Sequence, residues 1–376
     1  THDWLGPMTG AERVLHEILN CFPGADVYTA IDFLAPEHRH ILGASRVHTS
    51  FIQRLPNART GYWNYIPLMP FAFETFSLGE YDLVLSNSHT VAKGVRTHQR
   101  QANVCYLETP MRFAWDLKEY YLRHFRLSPV KRRVAATVFD VMRSWDARSA
   151  KRVDEFLSVS GFVAKRCAAF YGRASETVYP PVDVEFFTPS GAQRADFFLT
   201  ASRLTPFKRL DLIVEAFNGM PDKQLIVIGD GPDRERIEAM RGPNVTSLGY
   251  QPNDVLRDHM RRARAFLFPA PEDFGLILAE AQACGTPVIA LGLGGACEIV
   301  RDLDADIPTG VLFPQGTVQD VQEAVRRFER NESRFNRESC RANVMRFAPE
   351  RFRDRLTQAV RRVLDRKASK FRPSAA

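Results

Sequence analysis

At 376 residues, with 45% hydrophobic and 25% charged side chains, the chain is long enough for two ordinary domains and has a globular rather than a disordered or coiled-coil composition. No apolar run approaches the roughly 20 residues that span a bilayer, which predicts a soluble or peripherally attached protein. The six cysteines are scattered without a short-spaced pair, which argues against a zinc site or a disulfide framework and fits a reducing cytosol. The net charge of +7 favours anionic partners. Part of that excess lies between Arg351 and Arg372, where nine Lys/Arg face two acids, a run that reads either as a solvated helix face or as a contact with an acidic membrane surface.

In chain order, residues 1–10 read as a loop carrying Gly6 and Gly10, and Val14, Leu15, Ile18 and Leu19 recur at helical spacing just after it. In an α/β domain a strand should precede such a loop; none is present and the chain begins at Thr1, so a truncated start is expected. Short strands follow at 25–30 and 47–50. The stretch from Tyr62 to Phe76 is crowded with aromatics, which reads as core or as a surface that meets an apolar, lipid-bearing acceptor. Strands at 81–88 and 103–107 end in polar loops, the second carrying Glu108 and Arg112 around a proline turn. Ligand-binding loops of doubly wound sheets sit at such carboxyl ends. Residues 115–145 alternate aromatic with basic side chains without any nucleic-acid motif, and predict an amphipathic helical region. A strand at 155–160, a helix at 162–170 and the proline-stiffened stretch 178–183 lead to a boundary near 187.

The second half alternates strands and helices densely enough to imply a parallel, doubly wound sheet. Phe197–Ala201 runs into Arg203, Lys208 and Arg209, cations placed before a helix start, where they repel the helix dipole unless an anion sits between. Gln224–Gly231 is a buried strand ending in a glycine-bounded turn, and 245–250 is the next strand, ending at Tyr250. The strand 265–269 then feeds Glu272-Asp273-Phe274-Gly275-Leu276 and a helix through Glu280. A glycine and a helix start beside two carboxylates suit an anion flanked by hydroxyls, as in a nucleotide sugar; an acidic helix cap is the plainer reading of the same residues. Strands at 286–290 and 309–313 close the sheet, with Gly294, Gly295 and Glu298 between them.

On these residues the chain resembles the retaining glycosyltransferases of family four. The features that carry the resemblance are Glu272 and Glu280 separated by seven residues, Ser202-Arg203-Leu204 with Lys208-Arg209, Gly229-Asp230-Gly231, and Gly294-Gly295 with Glu298. Within that family, His2-Asp3-Trp4-Leu5, Gly10-Ala11-Glu12-Arg13 and Thr109-Pro110-Met111-Arg112-Phe113-Ala114-Trp115-Asp116 look like the GDP-mannose-dependent mannosyltransferases of O-antigen and exopolysaccharide synthesis. Glu108 stands where those relatives usually carry a histidine that reaches the transferred sugar.

The resemblance implies the GT-B fold: two Rossmann-like doubly wound parallel-sheet domains facing a central cleft. It implies an N-terminal acceptor domain over 1–187, a nucleotide-sugar domain over 188–348, and a C-terminal helix over 349–376 that packs back on the first domain and ends in a frayed tail. The activity implied is transfer of a hexose, mannose by resemblance, from GDP-mannose to a lipid-diphosphate-linked or growing glycan. It proceeds with retained configuration, without metal or other cofactor and without nucleic acid, at the cytoplasmic face of the membrane. Arg203 and Lys208 would stabilise the leaving diphosphate, with backbone N–H groups at Gly275 and Leu276. Glu272 would hold sugar hydroxyls and Glu280 the ribose, about 7.5 Å along the helix from Gly275. Gly10, Gly231, Tyr250 and Phe274 complete the expected donor site, and Glu108 and Arg112 lie on the acceptor side. A UDP-sugar donor, or donor binding without catalysis, is the alternative.

Overall fold

In the computed structural model the described residues are 1–6, 8–124, 128–191 and 193–371. Phe125 and Arg126 of the aromatic–basic stretch, and the tail beyond 371, lie outside them. The chain forms two compact units: Thr1–Pro181 with Glu350–Ala376, and Val182–Pro349. They divide at Pro181 rather than near 187. The Val182 N–H donates to the Phe347 carbonyl, and Arg341 donates to the carbonyls of Val184 and Phe187, which ties 182–187 to the second unit.

The N-terminal unit begins with α1 (Gly10–Cys21), whose Val14, Leu15, Ile18 and Leu19 are buried as their spacing requires. A capping box between Thr9 and Glu12 starts the helix. β1 (Val27–Thr29) and β2 (Val47–Thr49) follow, then α2 (Ala58–Gly61), α3 (Met69–Glu74), β3 (Leu83–Ser88) and β4 (Ala102–Leu107). α4 (Lys118–His124), α5 (Pro129–Ser149), β5 (Glu155–Ser158), α6 (Gly161–Tyr171) and β6 (Ser175–Thr177) complete the unit's contiguous part. β6 is short and polar, without the apolar pattern that marks a strand, and is recognisable only from its parallel pairing with β5. β1 pairs with β2, and β3-β4-β5-β6 form a second parallel ladder. His2 stitches the two ladders together, bridging Thr29 on one side and Asn87 on the other.

Behind the sheet a buried polar cluster organises the packing. The Lys93 ammonium donates to Asp146, whose carboxylate also accepts Trp115 Nε1 at 2.8 Å and the Tyr171 hydroxyl at 2.7 Å. Lys93 and Asp146 are both fully buried, so each charge depends on the other for solvation.

The C-terminal unit contains β7 (Phe198–Ala201), α7 (Leu210–Asn218), β8 (Leu225–Ile228), α8 (Arg234–Met240), β9 (Val245–Ser247), α9 (Asn253–Arg262), β10 (Phe266–Phe268), α10 (Leu276–Ala283), β11 (Val288–Leu291), α11 (Ala296–Ile299), β12 (Gly310–Phe313), α12 (Val318–Arg330) and α13 (Arg337–Val344). Its six strands run parallel in the order β12-β11-β10-β7-β8-β9. The order reverses at β7 and β10, the switch point where loops splay apart at the carboxyl edge. β7, β10 and β11 are buried along their whole length between two layers of helices, so they read as continuous apolar runs.

α14 (Pro349–Lys370) belongs to the N-terminal unit. Its cations meet protein carboxylates: Arg353 reaches Glu17 at 2.9 Å, Lys367 reaches Asp154 at 2.8 Å, Arg362 pairs with Glu176 and Arg366 with Glu155. These pairs set part of the run's charge against an acidic face of the same unit. Among the described residues no helix is long and apolar enough to cross a membrane.

Replacing Asp146 by Ala should lower the stability of the N-terminal unit by about 3–5 kcal/mol, because it strands a buried ammonium. A Lys93→Met, Asp146→Leu double variant should recover part of that loss. Urea denaturation of the three proteins measures both.

Candidate active site

In the C-terminal unit, four loops meet in two pairs at the carboxyl edge of the sheet, and backbone contact defines each pair. The loop after β7 passes under the Gly229-Asp230-Gly231 turn that ends β8. The Leu204 N–H donates to the Asp230 carbonyl at 2.9 Å. A Cβ on Gly229 would lie 1.9 Å from the Ser202 carbonyl oxygen, and one on Gly231 2.4 Å from that of Leu204. Both glycines also take left-handed φ values, +143° and +151°.

The second approach joins the loop after β10 to the loop after β11. Glu272 bridges Gly294, and the Gly295 N–H donates to the Glu272 carbonyl at 2.8 Å. A Cβ on Gly294 would lie 2.3 Å from that carbonyl oxygen, and one on Gly295 2.0 Å from the carbonyl oxygen of Phe274. The Phe274 ring, buried edge-on against Phe347 at 5.1 Å, anchors the loop from below. Gly275 then turns the chain at φ +100° into α10, which opens with Leu276. The first N–H groups of α10 have no partner within the helix and carry the positive end of its dipole.

Lys208 ends the short 3-10 turn Pro206–Lys208 and donates to the Glu272 carboxylate, with the rings of Phe207 and Phe268 at 5.3 and 5.5 Å from its ammonium. Arg209 takes a left-handed conformation at φ +54° and lies 3.5 Å from Asp211 in the first turn of α7. The repulsion expected between these cations and the helix start is thus partly answered inside the protein, by Glu272 and Asp211. Arg203 is exposed, and its guanidinium pairs with no carboxylate among the described residues. Glu280 is buried in the second turn of α10, and Tyr250 follows β9 with 74% of its surface exposed. Arg203, Lys208, Gly231, Tyr250, Glu272, Phe274, Gly275, Leu276 and Glu280 therefore all belong to one unit, and Lys208 and Glu272 are in direct contact.

The other expected residues belong to the N-terminal unit. Gly10 is the first residue of α1. Glu108 follows β4 directly, its N–H donating to the Ser88 carbonyl at 2.9 Å. Arg112 lies in the next turn, where its carbonyl accepts the Leu117 N–H at 3.0 Å. Arg166 of α6 pins this loop, donating to Thr109 Oγ1 at 2.9 Å and pairing with Asp116 at 2.8 Å.

Two residues absent from the expected set complete this edge. The Asp3 carboxylate is fully buried and accepts the backbone N–H groups of His89 at 2.6 Å, Thr90 at 3.0 Å and Ala92 at 2.7 Å, and also that of Val91. Burial works against its charge, but the neighbouring His89 ring and these donors hold its carboxyl below the usual range. The His89 imidazole lies 3.6 Å from Asp3 and edge-on to Trp4 at 4.5 Å, with burial pulling its basicity down. The signal was present in the sequence, since His89 directly follows the strand-ending Ser88.

Among the described residues, no group of three or more His, Cys, Asp or Glu side chains has the arrangement of a metal site.

Residues 185–346 match the family described as glycosyl transferases group 1. The chain is similar to a D-inositol 3-phosphate glycosyltransferase of Mycobacteroides abscessus, at 33% identity over 40% of this chain and 38% of that protein. It is also similar to a GDP-mannose-dependent alpha-(1-6)-phosphatidylinositol monomannoside mannosyltransferase of Mycobacterium tuberculosis, at 29% identity over 51% of this chain and 57% of that protein. The matches thus span well under two thirds of either relative. Among solved structures, Anabaena Alr3699/HepE in complex with UDP and glucose superposes with a TM-score of 0.68 at 17% identity, covering 96% of this chain and 98% of that one. Sucrose-phosphate synthase from Thermosynechococcus elongatus superposes with a TM-score of 0.70 at 17% identity, covering 97% and 100%. At that identity the likeness is one of fold, and the fold is GT-B, with two Rossmann-like units.

Replacing Gly295 by Ala should displace the Glu272–Gly275 loop and destabilise the C-terminal unit by about 1–3 kcal/mol, the usual range for an overpacked site. The thermal midpoint of the variant measures it, and an unchanged midpoint would show that the two loops separate freely.

Proposed function

We propose that the chain is a retaining hexosyltransferase that moves mannose from GDP-mannose to a lipid-diphosphate-linked or growing glycan. The observation that carries this reading is the Lys208–Glu272 contact beside the start of α10, with the unpaired Arg203 on the loop after β7. A donor diphosphate needs cations and N–H donors as its bond to the sugar breaks, and a sugar needs a carboxylate to accept its hydroxyls. That edge supplies both within one short stretch.

In this reading the bond between the anomeric carbon and the diphosphate oxygen breaks while an acceptor hydroxyl oxygen bonds to the same face of the sugar, its proton passing to the departing diphosphate oxygen. Arg203 and Lys208, with the α10 N–H groups at Gly275 and Leu276, stabilise the charge gathering on the diphosphate. Glu272 holds sugar hydroxyls, Glu280 the ribose, and Tyr250 offers an exposed ring to the base. No metal is needed, because the positive charge comes from the protein. On the acceptor side, Glu108 and Arg112 share the carboxyl edge of β3 and β4 with His89, so a histidine stands near the position where similar mannosyltransferases carry one.

The mannose and guanine assignments rest on the motif resemblance and on the named donor of the mycobacterial relative. The lipid-diphosphate-linked acceptor rests on the motif resemblance, and a peripheral position at the cytoplasmic face of the membrane is proposed with it.

Arg203→Ala and Lys208→Ala should each weaken nucleotide-sugar binding by about tenfold or more, the scale of a lost charge-assisted contact. Calorimetry with GDP-mannose reads this, and undiminished affinity in both variants would sink the assignment. A thermal-shift panel of GDP-mannose, GDP-fucose, UDP-glucose and UDP-galactose decides between guanine and uridine donors.

A further inference from the structure

The segments that form the carboxyl edge of β3 and β4 bury nearly every side chain they carry. From Ser86 to Val95, across the end of β3 and the loop after it, His89 alone is not buried. From Gln101 to Ala114, across β4 and its loop, only Glu108 and Arg112 are not buried. Ser88 stands opposite Leu107 in the β3–β4 register, so His89 and Glu108 leave their strands side by side. These two segments therefore offer three groups to solvent: an imidazole, a carboxylate and a guanidinium.

The imidazole is also held still. Asp3 takes up the four successive backbone N–H groups from His89 to Ala92, which fixes the chain on which the ring stands. Thr90 Oγ1 lies 3.0 Å from the ring's Nδ1, and Trp4 closes one side edge-on. At the far end of the loop Lys93 is drawn to Asp146, and a Cβ on Gly94 would lie 2.2 Å from the Trp145 ring. Both ends are clamped. The ring keeps Nδ1 engaged, while its Nε2 makes no hydrogen bond among the described residues. A side chain ordered in this way is pre-organised for a ligand.

We propose that His89 is a further acceptor-binding residue, whose Nε2 shares a hydrogen bond with an uncharged sugar hydroxyl of the acceptor. This rests on the transferase reading above and narrows what the acceptor presents at this edge. Glu108 and Arg112 carry opposite charges, and the Asp3 carboxylate is spent on four N–H groups. Burial pulls the basicity of His89 down, with His2 and Arg112 adding to that effect against Asp3 and Glu12, which favours the neutral ring. The three groups then carry no net charge. Such a mixture of donors and acceptors matches hydroxyls better than a phosphate.

A structural role alone does not account for the ring. What Asp3 needs from position 89 is a backbone N–H, which any residue but proline supplies. The imidazole instead brings a polar edge to the one opening in an otherwise buried loop, beside the strand end that Glu108 follows.

Transfer of radiolabelled mannose from GDP-mannose to uncharged octyl glycosides of mannose, glucose, galactose and N-acetylglucosamine tests the proposal. The wild type should use at least one of them. His89→Ala should raise the KM for that glycoside about tenfold, the scale of a lost hydrogen bond, and leave calorimetric GDP-mannose affinity unchanged. His89→Gln, whose amide reaches about as far as Nε2, should recover most of the loss, which a merely structural ring would not allow. Thermal midpoints read in parallel show whether the fold is intact. Should the alanine unsettle the loop, His89→Asn, which reaches Nδ1 but not Nε2, takes its place. An unaltered KM in these variants, or no rescue by His89→Gln, overturns the contact. So does a wild type that binds GDP-mannose yet transfers to none of the four glycosides. Failure of the wild type to bind GDP-mannose overturns the transferase reading, and this proposal with it.

Discussion

The carboxyl edge of the C-terminal sheet is built by backbone meeting backbone at distances that exclude a side chain. At Gly229, Gly231, Gly294 and Gly295 an added Cβ would fall within 2.4 Å of a carbonyl oxygen. Real Cβ atoms do not approach so closely, so each position is closed to every other residue unless a loop moves. The cost in conformational entropy of four glycines is the cost of holding four loops in register without side-chain spacers. Register matters here because Glu272 is set by its bridge to Gly294, and Lys208 meets Glu272 only if the loop after β7 lies where the Gly229–Gly231 turn places it.

On that frame the charges can be arranged to attract an anion. Lys208 and Arg209 have carboxylates of their own, whereas Arg203 stands exposed above the same edge. A closed Lys208–Glu272 pair is half-buried on both sides and is therefore pre-oriented rather than merely solvated. An incoming diphosphate would compete with Glu272 for Lys208, and an incoming sugar would compete with Lys208 for Glu272. A donor carrying both groups answers both demands at once, whereas phosphate alone would leave Glu272 beside a new negative charge. In the proposed reading the pair would favour a nucleotide sugar over a bare nucleotide on electrostatic grounds.

What could be read from the sequence follows from the range of the interactions. Gly229-Asp230-Gly231, Gly294-Gly295 and the Glu272 to Glu280 spacing are local patterns, and the α/β alternation around them carries its own periodicity, so the sheet and its edge were legible residue by residue. The N-terminal unit is tied by contacts that no local pattern announces. Asp3 caps the turn after β3 across 86 residues, and Arg166 holds Thr109 across 57. Without partners in view, Asp3 was one letter of a motif, and His89 merely followed a polar strand end. The basic run of α14 was legible as charge, but its pairing with Glu17, Asp154, Glu155 and Glu176 spans 186 to 336 residues. β6 was missed for the same reason, since its pairing with β5 makes it a strand.

The two units differ in construction along the same line that divides their legibility. The match to a described family falls on 185–346, the unit whose candidate site is made of short-range glycine geometry. In the N-terminal unit the edge is assembled from distant side chains, Asp3 of the segment before α1 and Arg166 of α6, meeting the loops after β3 and β4. In the proposed reading the backbone cradle of the C-terminal unit would hold the donor diphosphate, and the side-chain network of the N-terminal unit would meet the group that receives the sugar. Glu108 and His89 stand at neighbouring strand ends of that network, the acid directly after β4 and the imidazole on the loop after β3.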